Sequence, residues 1–241
     1  LKIIKSIKMV VENSDVILLC IKAQSMFDFL AVNFNSFKNK PLVFCSKGID
    51  TKYCLFQTEI AEKFLDKKLF SVLSGPGFAS DIVREKPIAL SLACKNVNLG
   101  KKVQHMLSSP SIRIYLNNDL IGTPLGGALK NVIAIACGIV MGKKYGENAK
   151  SSILTRGLKE MIMLGKAMGA KEETFYGLSG IGDLSLSCNS MNSRNTNLGV
   201  KLGQGMRLKE ILQEKILSEG LNSCDSICQI ASKLKIDVPI C

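Results

Sequence analysis

The chain contains no tryptophan, and aromatic residues make up only 6% of it. With so few rings, and none interleaved with its lysines, it lacks the stacking surfaces on which single-stranded nucleic acid is held. It has a single histidine, His105. A Ser-His-Asp hydrolase or a His-dependent dehydrogenase would have to rest on that one residue. His105 stands in KKVQHM, whose lysines mark a solvated helix face, so an acid–base group is sought among other residue types. No continuous apolar run reaches the roughly 18 residues needed to cross a membrane. The opening residues 1–13 alternate lysines with apolar side chains and carry no cleavage-site pattern. Neither a signal peptide nor a membrane anchor is expected, and the reading is a cytoplasmic protein. A G-x-G-x-x-G turn is also missing; the glycines at 177, 180 and 182 come in the reverse order.

Nine cysteines are present, an odd number, and the closest pair, Cys224 and Cys228, is not at a zinc-knuckle spacing. Cys20, Cys45, Cys94 and Cys137 sit inside apolar stretches and read as buried free thiols of a reducing compartment. No metal is expected. The net charge is +12, from 32 basic and 20 acidic residues. Such a charge draws anions, but the basic residues are scattered without a run of five. A lysine-rich solvated surface, with room for a small anionic substrate, explains the charge better than a nucleic-acid interface. At 241 residues, 46% of them hydrophobic, the chain can bury a core without staples.

Short β-rich runs alternate with helical stretches through the first half. Residues 15–21, 41–45, 69–73, 88–93 and 112–116 read as strands. Residues 25–37, 53–65, 78–84 and 99–107 read as helices. This alternation predicts an α/β fold, a partial doubly wound, Rossmann-like and mostly parallel sheet, over 1–118. From about residue 118 no further strand is expected. Stretches 126–140, 148–168, 208–213 and 225–234 have helical periodicity, which predicts an all-helical domain over 119–241.

Four segments pin polar residues among glycines and apolar side chains. Ser46-Lys47-Gly48 follows a strand, the edge of an open α/β sheet where ligands sit; it also reads as an ordinary turn. Ser74-Gly75-Pro76-Gly77-Phe78-Ala79 leads from a strand into a helix and reads as an anion-accepting turn or a plain connection. In Gly126-Gly127-Ala128-Leu129-Lys130-Asn131-Val132, Lys130 and Asn131 interrupt an apolar helix. Either Lys130 snorkels to the surface, or it is desolvated and tuned for proton transfer. Gly180-Ile181-Gly182-Asp183 followed by Ser193-Arg194-Asn195 reads as a capped helix start and a surface loop, or as a phosphate grip built on Arg194.

In combination, SKGID, SGPGFAS, GGALKNVIAIACGI, NAKSSILTRGLKEM, TFYGLSGIGDL, SRNTNLG and LGQG follow one another as they do in bacterial NAD(P)-dependent glycerol-3-phosphate dehydrogenases. The resemblance covers nearly the whole chain. It implies interconversion of sn-glycerol 3-phosphate and dihydroxyacetone phosphate with NAD or NADP, supplying phospholipid synthesis, by a cytoplasmic homodimer. It further implies that Lys130 transfers the proton at the substrate C2 oxygen. Lys47 would stand at the substrate–nicotinamide junction, and Asp183 would orient the lysine. Gly75, Gly77, Asn131, Ser193, Arg194 and Asn195 fall on substrate-contact positions. Ala79, Leu217 and Glu219, together with Lys47 and Arg194, fall on cofactor-contact positions.

The chain departs from that pattern in places. Gly77 stands where the family has Ser, and Pro124 where an acidic residue precedes GGALKNV. The absent glycine-rich turn suggests that about sixty residues, two strand–helix units at roughly 30 residues each, lie upstream. Two other readings therefore stand beside the enzyme: a non-catalytic remnant that folds and dimerises without cofactor, and a β-hydroxy-acid dehydrogenase of the same architecture.

Overall fold

The computed structural model describes residues 3–37, 40–213 and 218–241. A short helix, α1 (Ile7–Glu12), is capped by the Ser6 hydroxyl, which accepts from the Met9 N–H. It precedes strand β1 (Ile17–Leu19). A 3-10 turn at Ala23–Ser25 then leads into α2 (Met26–Phe37), which buries Met26, Leu30 and Phe37. Strand β2 (Leu42–Phe44) follows; all three of its residues are buried, as in a strand covered on both faces.

Helix was expected over 53–65, and here the chain differs. Two short strands, β3 (Ile49–Asp50) and β4 (Leu55–Phe56), form an antiparallel ladder of their own, and only Gln57–Glu62 is helical (α3). The cause is local. Cys54 adopts a positive φ of 52° at the turn, and the Glu59 carboxylate accepts the Phe56 N–H at 2.8 Å, fixing the helix start there.

Strand β5 (Phe70–Ser74), helix α4 (Ala79–Val83), strand β6 (Ile88–Cys94), helix α5 (Val97–Leu107) and strand β7 (Ile112–Asn117) complete the sheet. Its order is β1-β2-β5-β6-β7. The pairings are parallel except β5 with β6, which is antiparallel. One face packs α2 and α3 through Leu30, Leu42, Phe44, Phe70 and Ile60. The other packs α5 through Val43, Leu92, Leu99 and Val103. His105 is exposed on α5.

The described residues after β7 form no strand. They comprise α6 (Gly122–Gly142), α7 (Glu147–Ala167), α8 (Glu172–Phe175), α9 (Asp183–Cys188), α10 (Arg194–Gly203), α11 (Leu208–Gln213) and α12 (Glu219–Leu234). Helix α6 is long and apolar enough to cross a membrane by composition, but 72% of that stretch is buried inside the protein. It is the central post of the helical half, surrounded by Met161, Leu164, Phe175, Leu184 and Ile227.

Helices α6 and α10 lie unusually close, because each turns a pair of glycines to the other. A Cβ on Gly138 would come within 2.2 Å of the Thr196 carbonyl oxygen, and one on Gly199 within 2.1 Å of that of Ile135. Gly142 and Gly203 repeat the arrangement one turn on. This contact brings the start of α10 beside Lys130 and Asn131.

The cysteines are all free thiols, with Cys94, Cys137 and Cys188 buried. Two depart from the expectation of burial: Cys20 is exposed and Cys45 only partly buried, because both lie just beyond the last paired residues of β1 and β2 and face away from the α2–α3 core.

Candidate active site

A cleft of about 560 Å³ opens where the carboxyl ends of β1, β2 and β5 meet the middle of α6 and the start of α10. The strand ends contribute Cys20, Lys22, Cys45, Ser46, Lys47, Gly77 and Ala79. The helical half contributes Lys130, Asn131, Ser187, Ser193, Arg194, Asn195 and Glu219. The lysine of α6 and the arginine of α10 thus share one cavity.

Lys130 does not snorkel. Its side chain is 11% exposed, and its ammonium donates to Asp183 Oδ1 at 2.7 Å and to Ser187 Oγ at 2.9 Å. Lys47 reaches the other oxygen of the same carboxylate, Asp183 Oδ2, and also donates to the Gly75 carbonyl at 2.9 Å. Asp183 opens α9 and its side chain is only 2% exposed, so its charge is met by two ammonium groups. Burial pulls the Lys130 ammonium down to about 8 from its ordinary 10.5; the neighbouring Lys47 charge pulls the same way, and Asp183 opposes both. A lysine with that pKa exchanges protons near neutrality.

Gly75 is placed by backbone geometry. It has a φ of 132°, and a Cβ there would come within 3.2 Å of the Leu90 Cα on β6. At Gly77 a Cβ would meet nothing closer than 3.5 Å, so the serine of the family pattern would fit without rearrangement. Ala79 opens α4 and is exposed at the rim.

The Ser193-Arg194-Asn195 segment is the capped start of α10, where the sequence reads as a surface loop or a phosphate grip. The Ser193 hydroxyl accepts the Thr196 N–H at 3.3 Å and closes the first turn. Asn195 donates to Asn131 Oδ1 at 2.9 Å and accepts from Ser218 Oγ at 2.7 Å and the Gly220 N–H at 3.1 Å. Asn131 therefore couples to α10 and, through Asn195, to the start of α12. Arg194 stands in the first turn of α10, where the helix dipole adds to its attraction for an anion.

Glu219 opens α12. Burial raises its carboxyl, while the charges of Arg194 and Lys22 draw it back. Its Oε2 is buried without a hydrogen-bond partner among the described residues. Leu217 lies outside the described residues. Sequence reasoning did not single out Ser187 or Lys22. Ser187 is one turn after Asp183 on α9, the i, i+4 spacing that puts both on one helix face, and that spacing was the available signal.

Family models of the N-terminus and the C-terminus of NAD-dependent glycerol-3-phosphate dehydrogenase match residues 1–100 and 119–241. The chain belongs to this family. The glycerol-3-phosphate dehydrogenase (NAD(P)+) of Parvibaculum lavamentivorans is 44% identical over 84% of the chain and 61% of its own length. That of Maridesulfovibrio salexigens is 42% identical over 96% of the chain and 71% of its own length. The crystal structure of glycerol-3-phosphate dehydrogenase from Coxiella burnetii superposes with a TM-score of 0.91 at 32% identity, covering 98% of this chain and 73% of that one. The chain thus spans about three fifths of the length of the first of these relatives.

Proposed function

We propose that this chain interconverts sn-glycerol 3-phosphate and dihydroxyacetone phosphate with NAD or NADP, and so supplies glycerol phosphate for phospholipid synthesis. The observation that carries the reading is the buried Lys130 ammonium, tuned to about 8, in one cleft with Arg194. Residues 1–118 would form the cofactor side and 119–241 the substrate side.

A nicotinamide cofactor suits the cleft on two counts. The cavity lies at the carboxyl edge of the parallel strands, where dinucleotides bind in such sheets. Glu219 Oε2 is a buried acceptor left open for a donor. Lys47, Ala79, Arg194 and Glu219 would hold the cofactor, which supplies or takes up the hydride when bound. Lys130 gives its proton to the C2 oxygen of the ketone and recovers it in the reverse direction. Asp183 orients that ammonium, and Lys47 adds positive charge where the oxygen becomes negative. Arg194 grips the phosphate, with Asn195 and Asn131 bracing the helix start that carries it. Gly75 and Gly77 shape the floor, and Ser193 fixes the first turn of α10. Holding the phosphate at one end places C2 at the other, which lowers the entropic part of the barrier.

The setting is proposed to be cytoplasmic, supported by nine free thiols. The assembly is proposed to be a homodimer, which sedimentation of the purified chain checks. The activity itself is tested by following NADH and NADPH absorbance on addition of dihydroxyacetone phosphate. Oxidation that depends on the ketone is expected. It should fall by roughly 10²- to 10⁴-fold in Lys130→Ala with the circular dichroism spectrum unchanged. No ketone-dependent oxidation with either nucleotide, or near-normal turnover in the variant, would overturn the assignment.

A further inference from the structure

Two thiols stand side by side at the mouth of the cleft. The parallel ladder between β1 and β2 pairs Leu19 with Phe44. It continues for one more step, because the Cys45 N–H donates to the Leu19 carbonyl at 3.1 Å. Cys20 and Cys45 are thus neighbours across adjacent strands. Leu19 and Phe44 both point into the α2–α3 core, so alternation turns the next residue of each strand to the opposite face. Both side chains line the same cavity, and Cys20 lies close enough to Cys45 to raise its thiol. Neighbouring strands lie about 4.8 Å apart, inside the range of roughly 4.4–6.8 Å between Cα atoms that a disulfide requires.

We propose that Cys20 and Cys45 form an oxidisable dithiol on the wall of the catalytic cleft, a modification site for low-molecular-weight disulfides. Cys20 is exposed and Cys45 partly buried, and both line the cleft. Lys22 and Lys47, each two residues further along its strand end, line the same cavity and make it attractive to an anionic disulfide. Accessibility sets the order of events. The Cys20 thiolate attacks one sulfur of the reagent, breaking its S–S bond; the departing thiolate takes up a proton. Burial and the adjacent Cys20 keep the Cys45 thiol protonated, pushed up to about 12, so it acts second. On losing its proton it attacks the Cys20 sulfur, forms the intramolecular bond and releases the second thiol. Two protein thiols are oxidised and one disulfide is reduced to two thiols. Disulfides in reducing compartments are mostly of this transient kind.

Cys137 and Cys188 are also in contact, but both are buried and a reagent in solvent does not reach them. Cys228 is exposed beside Cys224 and Cys241, away from the cleft; its modification reports oxidation that is not directed by the cleft.

The test uses oxidised glutathione on the reduced chain, followed by alkylation and non-reducing peptide mapping. A peptide linking Cys20 to Cys45 is expected, forming ahead of modification at Cys228 and lost with dithiothreitol. Cys45→Ala should stop the reaction at a glutathione adduct on Cys20, and Cys20→Ala should leave Cys45 free. A wild-type chain in which Cys20 carries glutathione without linking to Cys45 would overturn the proposal, as would both thiols staying reduced while Cys228 reacts. The mapping gives its answer whether or not the chain turns over, so its failure is distinct from failure of the proposed activity. Where turnover is measured, linkage should abolish it and dithiothreitol restore it.

Discussion

Two ammonium groups share one carboxylate in the cleft, so the set formed by Lys47, Asp183 and Lys130 carries a net positive charge in a place with little water. That charge is useful where a ketone oxygen becomes negative, and it works against the fold. The folded chain releases the Lys130 proton near pH 8, whereas an unfolded chain holds it to about 10.5. Between those values the folded state binds fewer protons, so stability rises with pH across that window. Below it the buried ammonium costs about 3 kcal/mol at 1.36 kcal/mol per pH unit. Lys130→Met leaves Asp183 paired with Lys47 and removes that cost. Its melting temperature at pH 7 is expected to equal or exceed that of the parent chain while turnover is lost. A large drop in melting temperature would mean that the lysine is structural. The same pKa gives opposite pH profiles for the two directions. Ketone reduction needs the ammonium and should decline above about pH 8, whereas glycerol phosphate oxidation needs the free amine and should decline below it. Initial rates in both directions across pH 6–10 check this. Asp183→Asn, which removes the group holding the lysine charged, should shift both midpoints downward.

The close approach of α6 and α10 belongs to the scale of elements. It rests on glycines that the sequence displays but whose meaning is three-dimensional. Gly138 and Gly142 face Gly199 and Gly203 only because α10 crosses α6 at that point. A methyl group on Gly199 would sit 2.1 Å from the Ile135 carbonyl oxygen and 2.9 Å from the Gly138 Cα. Backbone cannot yield as a flexible side chain would, so α10 must move away. Gly199→Ala is therefore expected to cost about 1–3 kcal/mol of stability, and to weaken binding of glycerol 3-phosphate because Arg194 and Asn195 move with the helix. Gly77→Ser, with 3.5 Å of clearance, should change stability by less than about 0.5 kcal/mol. Denaturant melts of the two variants, with calorimetric titration of glycerol phosphate, separate these outcomes. The helices themselves were legible where an apolar stripe repeats, as in α6, α7 and α12. Two others in the helical half were missed: α8, whose four residues are too few to show a period, and α10, whose polar opening Ser193-Arg194-Asn195 reads as a loop. The β3–β4 ladder was hidden for a similar reason: it is set by a turn and by the Glu59 cap, both of which lie within a stretch whose apolar spacing reads as helix.

At the scale of the whole molecule, the alternation of strands and helices followed by helices alone is enough to read the α/β plan from residue order. Strand direction is not legible in that way. The β5–β6 pairing is antiparallel because the connection is short and its helix, α4, is too brief to cross the sheet and return. The candidate site was legible in Lys130, a charge set in a helix with no polar face. Its partners Asp183 and Ser187 come together with it only through the packing of α9 on α6. The joint between the two halves was not legible, since it uses a buried carboxylate two of whose four partners lie far along the chain. Asp119, 4% exposed, follows β7 directly. Its Oδ1 accepts the Ile121 and Gly122 N–H groups at 3.1 and 2.8 Å. Its Oδ2 accepts the Lys171 N–H at 2.9 Å and the Thr174 hydroxyl at 2.7 Å. The carboxylate thus fastens the end of the sheet to the start of α6 and to α8 at once. Asp119→Ala removes four charge-assisted hydrogen bonds and leaves buried donors unpaired, a loss of about 2–4 kcal/mol. For a chain of this length each kcal/mol moves the melting temperature by roughly 2–4 °C, so a drop of about 5–15 °C is expected. Because the cleft lies between the halves, the variant should also bind glycerol phosphate more weakly at temperatures where it remains folded. Thermal melts followed by circular dichroism, with ligand titration well below the transition, decide the matter. An unchanged melting temperature would show that the joint does not depend on this carboxylate.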